Sequence, residues 1–137
     1  MKKNPNLKIR IIAKGYSDGL GVVQGTKYDG KLGNDITITY YDIAKNNTEG
    51  TTQFIIHKTP MDNLGYAKLR AYDIIKYLQR RFPIDDDNIA IYVKEYKQIG
   101  KEYRGCDFSI VLEDVLLLRD VERQGLKWRA RQFIPHN

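Results

Sequence analysis

The chain has 137 residues, 42% apolar and 29% charged, a soluble globular mix that excludes general disorder. That length lets one domain, residues 1–137, bury a core without metals or disulfides. Its 23 Lys and Arg against 17 Asp and Glu give a formal +6, which raises the expectation of an anionic partner and equally serves solubility.

The charge is unevenly placed. Lys2, Lys3, Lys8, Arg10 and Lys14 fall in residues 1–14, and Arg123, Lys127, Arg129 and Arg131 in residues 123–131, with no acid in either segment. Without these nine, 14 cations face 17 anions, so basic ends flank a mildly acidic middle. Basic arms are expected at about 1–6 and 125–137.

Leu7, Ile9, Ile11 and Ala13 alternate with Lys8, Arg10, Ile12 and Lys14, the period of a half-buried strand. Lys8 and Arg10 also break this apolar run, which excludes a signal peptide or membrane span there. The glycine-dense stretch from Gly15 to Gly25 predicts a turn and a second strand around Val22–Tyr28. Asp29-Gly30 and Gly33-Asn34 bracket another reversal, before a β-branched and aromatic strand at Ile36–Tyr41. Asn46–Gly50 reads as a loop and Thr51–Lys58 as the returning strand, so the first half predicts an antiparallel meander.

A helix is predicted over about 62–82. Leu64, Ala67, Ala71, Ile74, Ile75, Leu78 and Phe82 share one face, while Lys68, Tyr72, Lys76 and Gln79 share the other. Asp62 or Asn63 caps its start, Arg80 and Arg81 suit its C-terminus, and Pro83 stops it. Strands follow at Asn88–Tyr96 and near Asp107–Leu112. Residues 113–124 read two ways: a short C-terminal helix ended by Gly125, or a buried strand through Val115–Leu118. The expected class is α+β, a mostly antiparallel sheet of about six strands with one long amphipathic helix packed on it.

Several patterns resemble chemistry without the context it needs. Gly15-Tyr-Ser17-Asp-Gly19 matches the G-x-S-x-G nucleophile elbow, but that elbow requires a helix after the serine, and a strand is predicted here. Gly19-Leu-Gly21 through Gly25 lacks the helix start that would face a pyrophosphate. Asp85-Asp86-Asp87 lacks the alternating ligands and glycine of a calcium loop. Cys106 stands alone, and His57 and His136 are too far apart in sequence for a zinc pattern. Neither cofactor nor metal is expected. The single cysteine fits a reducing compartment, hence a cytoplasmic protein, or an intracellular one before packaging into a particle.

The segment Lys127-Trp128-Arg129-Ala130-Arg131 has the most function-like composition, with the chain's only tryptophan set among cations. Such a trio anchors protein interfaces, or stacks on an unpaired base while its neighbours meet phosphates. Trp128 packed back onto its own core is the structural alternative. The Ile/Lys/Tyr/Asn-rich wording of the chain resembles small proteins of AT-rich bacteria, their phages and mobile elements. The expectation is therefore a non-enzymatic structural subunit of a larger, oligomeric assembly, in particular a phage virion or tail/connector component. It would dock on protein neighbours through Lys2, Lys3, Lys8, Arg10, Lys14, Arg123, Lys127, Trp128, Arg129 and Arg131. The alternative uses the same residues on nucleic acid. A small serine hydrolase centred on Ser17 is a remote third reading, and no membrane partner is expected.

Overall fold

A computed structural model describes residues 7–114 and 132–133. Strands β1 (Leu7–Ser17), β2 (Asp35–Asp42), β3 (Thr48–Ile55), β4 (Ile89–Glu95) and β5 (Gly105–Asp114) form one sheet in the order β3-β2-β4-β1-β5. A two-residue strand β6 (Gln132–Phe133) pairs at the outer side of β5. Helix α1 (Asn63–Arg81) connects β3 to β4 and packs on β1, β4 and β5, making this an α+β fold.

The helix begins where the Asp62 side chain accepts a hydrogen bond from the Gly65 N–H at 2.6 Å, and it ends just before Phe82-Pro83. Its buried residues include Ala67, Ala71, Ile75 and Leu78, as the spacing predicts. They meet Ile11 and Ala13 of β1 and Ile91 and Val93 of β4 in one core. Gly15 lets the two layers approach closely, because a Cβ there would collide with the Ala67 carbonyl.

The sheet departs from the predicted meander. Three of its five pairings are antiparallel, but β4 runs parallel to both its neighbours, β1 and β2. The first strand thus pairs with the two last long ones, β4 and β5, which brings the apolar face of β1 to the centre of the core. Val22–Tyr28 is not a strand and makes only an isolated bridge, Lys27 with Pro60. Its periodicity fails because Val23 is 80% exposed; Tyr28 is the buried anchor of the segment, with Val22 packed at the edge of the core and the Thr26 carbonyl accepting from Met61 N–H. The Tyr28 hydroxyl donates to the Gly33 carbonyl at 2.6 Å and accepts from the Leu32 N–H at 3.0 Å, and its ring meets Phe54 edge-on.

Lys68 is a second correction. It is buried, not on a solvated helix face: its Nζ donates to Thr52 Oγ1 at 2.8 Å and sits 4.1 Å from the Tyr40 ring centroid. The long side chain of a residue flanking the apolar stripe reaches β2 and β3 beyond the helix edge. Of the ambiguous segment 113–124, Glu113 and Asp114 end β5 and the remainder lies outside the described residues, as do the N-terminal arm and all of the C-terminal arm except Gln132 and Phe133 of β6.

Candidate functional site

In a strand, side chains alternate between faces, so the register assigns each residue to a side. Ile11, Ala13 and Gly15 of β1 face the helix, with Ile89, Ile91 and Val93 of β4 and Cys106, Phe108 and Ile110 of β5 beside them. The other face carries Arg10, Ile12, Lys14 and Tyr16 from β1, Tyr92 and Lys94 from β4, Tyr41 from β2, and Asp107 from β5. α1 lies on the opposite side, so this is the face open to a partner among the described elements.

Its aromatic residues form two groups. Tyr41 and Tyr92 are paired in register, with ring centroids 5.1 Å apart. Tyr16, Tyr96 and Tyr103 form a chain of rings at 5.8 and 5.2 Å, and Lys94 Nζ lies 4.6 Å from the Tyr96 centroid. Arg10 and Lys14 are exposed, and Asp107 stands opposite Lys14 in the register. Burial, reinforced by the charge of Asp107, pushes the Tyr16 hydroxyl up to about 12, so it keeps its proton and can donate near neutral pH.

The loops at the exit of β1 and β4 extend this surface. Gly19 N–H donates to the Gln98 carbonyl at 2.8 Å, and Gly100 N–H donates to Asp18 Oδ2 at 3.1 Å. Asp18 also pairs with Arg104 Nε at 2.8 Å. That bond holds the Asp18 carboxyl below its ordinary range, partial burial opposes it, and the Gly100 and Leu20 N–H groups assist. Arg70 braces the same end by donating to the Tyr16 carbonyl at 2.6 Å. The loops after β1 and β4 expose Leu20 (54%), Val23 (80%) and Ile99 (63%).

Of the basic residues singled out in the sequence, Arg10 and Lys14 lie on this face of β1, with Ile12 between them. Lys8 lies on β1, with its side chain outside the described set, and Lys2, Lys3, Arg123, Lys127, Trp128, Arg129 and Arg131 are outside the described residues. The tyrosine groups escape a reading of sequence alone because their members come from β1, β2, β4 and the loop before β5. The available signal was the alternation of Tyr92, Lys94 and Tyr96 with the apolar Ile91 and Val93.

The serine motif has no elbow geometry. Ser17 C=O accepts from Tyr96 N–H at 2.8 Å, and the chain beyond it bends into a loop instead of entering a helix. Ser17 Oγ is buried, with no hydrogen-bond partner among the described residues, while His57 sits exposed in a left-handed turn after β3. Asp86 accepts from Gln79 Nε2 at 2.8 Å, capping the end of α1 against the turn before β4. Among the described residues no group of three or more His, Cys, Asp or Glu is placed to hold a metal ion, and no helix is long and apolar enough to cross a membrane. No protein-family model, curated protein or solved structure matches this chain.

Proposed function

We propose that this chain is a non-enzymatic structural subunit that docks on protein neighbours in an oligomeric assembly, using the open face of its sheet together with its basic ends. One observation carries the reading: tyrosines and cations share the sheet face that α1 leaves uncovered, while the loops after β1 and β4 expose the apolar side chains of Leu20, Val23 and Ile99. Tyrosine and arginine on a rigid sheet, beside apolar residues, are the composition of a protein interface. The composition of the chain further supports a phage virion or tail/connector component.

Sedimentation velocity over a concentration series tests this. The full chain is expected to associate, and Lys14→Glu with Tyr92→Ser to return it to monomer without moving the thermal melt. A wild-type chain that remains monomeric throughout would refute self-assembly through this face.

Nucleic acid is the second reading, favoured by the Lys94–Tyr96 pair, since cations beside aromatic rings accompany bound single strands. Here the same variants would weaken DNA binding, and log K would fall with log salt at about −0.7 to −0.9 per neutralised phosphate. Asp107 on the same face favours the protein reading.

A further inference from the structure

β3 is an edge of the sheet. It stands first in the strand order, and among the described residues no strand pairs with its outer side, whereas β6 covers part of the opposite edge at Ile110 and Val111. Its ladder with β2 runs from Thr48 to Ile55 without a bulge. The strand carries neither proline nor lysine, the residues that commonly guard an exposed edge.

Hydrogen bonds fix which backbone groups face outward. Ile56 N–H donates to the Asn34 carbonyl at 2.9 Å, one step beyond the Asp35–Ile55 pair, so even-numbered β3 residues address β2. Odd-numbered residues turn outward, as Ile55 does: its N–H donates to Thr59 Oγ1 at 2.8 Å, and its carbonyl accepts from the Lys58 and Thr59 N–H groups at 3.1 Å. Thr59 Oγ1 also donates to the Gln53 carbonyl at 3.2 Å. The turn after β3 thus closes the end of the edge. Glu49 and Thr51 keep both backbone groups facing outward, and Gln53 keeps its N–H. The side chains of all three are exposed.

We infer that the edge of β3 pairs antiparallel with β3 of a second copy of this chain, about a dyad at Thr51. In that register the Thr51 residues exchange N–H···O=C bonds, and the Gln53 N–H of each copy meets the Glu49 carbonyl of the other. The Gln53 carbonyl retains a lone pair for the Glu49 N–H. Side chains match as well. Each Glu49 carboxylate stands opposite a Gln53 amide, which donates one N–H to Asp35 Oδ1 at 2.9 Å and has a second to give. Neighbouring registers lose this fit. A dyad at Gly50 sets Gln53 against Asn47, whose left-handed backbone (φ 57°) lies beyond the strand. A dyad at Thr52 brings together the Lys68 ammonium groups, each bound to Thr52 Oγ1. One at Glu49 opposes two carboxylates, which repel. This self-match selects a second copy over a foreign strand. The inference rests on the reading of this chain as an oligomeric subunit and names one contact between its copies.

The test follows amide exchange in the ¹⁵N-labelled full chain over a concentration series, with sedimentation velocity alongside. As the chain associates, exchange at Glu49, Thr51 and Gln53 is expected to slow by roughly tenfold or more, while Gly50 and Thr52, already bonded to β2, change little. Gln53→Lys, facing Glu49 of the second copy, is expected to tighten association by roughly fivefold, and adding Glu49→Lys to reverse that gain. Thr51→Pro removes an N–H that β2 does not use, and is expected to abolish the protection at Glu49 and Gln53 with the thermal melt little moved. Protection that survives Lys14→Glu with Tyr92→Ser supports the edge contact independently of the open face. Association with Glu49, Thr51 and Gln53 unprotected overturns the pairing and leaves the open-face reading standing. A wild-type chain that stays monomeric overturns the pairing too.

Discussion

Cys106 and Tyr16 sit on opposite faces of the sheet, and both hold their protons harder in the folded chain. Burial, with the Asp107 charge adding to it, pushes the Cys106 thiol from its ordinary 9.0 up to about 12, and Tyr16 moves from 10.0 to about 12. Over that range the folded state binds more protons than the unfolded one, so stability falls as pH rises from about 9 to about 12. Below about pH 8 both groups stay largely protonated in either state, and neither changes the slope. Thermal melts across this range should show a declining Tm, and Cys106→Ala and Tyr16→Phe should each flatten the decline. An unaltered slope in both variants would place the alkaline sensitivity in other groups. Asp18 acts at the other end: its carboxyl is held low by Arg104, so the stability it contributes is lost as acid protonates it.

Between elements, the decisive contact is helix on sheet. Gly15 sits mid-face on β1 directly under Ala67, and a methyl group there meets the backbone carbonyl of the helix, not a side chain that can turn aside. Gly15→Ala should therefore destabilise by about 3 kcal/mol, as overpacking against an unyielding neighbour does. Urea unfolding would record this as a lower midpoint at unchanged slope. Substituting Gly21, where a Cβ meets nothing within 4 Å, is the control and should cost far less. A Gly15 variant as stable as wild type would mean that α1 can lift from β1 at little cost.

For the molecule as a whole, the two-layer arrangement divides labour between its faces. One side of the sheet is committed to α1, and the other presents Arg10, Lys14, Lys94 and the tyrosines. The basic ends belong to the same proposal from the sequence side. Deleting residues 1–6, or replacing Trp128→Ala, should weaken association in sedimentation more than it lowers Tm. Equal losses in both measurements would assign these residues to the core of the domain.

The sequence by itself determined the local elements. Alternation over residues 7–14 marked β1, the three-and-four spacing marked α1, and Asp62 and Pro83 bounded it, because these signals depend on neighbours a few residues away. It also placed Arg10 and Lys14 on one side of their strand, since a period of two needs no partner to be read. Tertiary structure decided what lies beside them. That β4 enters between β1 and β2, that Lys68 is drawn under Tyr40, and that β2 pairs with β4 only at Tyr41 and Asp42 are choices among long-range pairings. Periodicity gives a strand its faces, but loop closure and competition for the helix surface choose its neighbours. The tyrosine face is made by those neighbours.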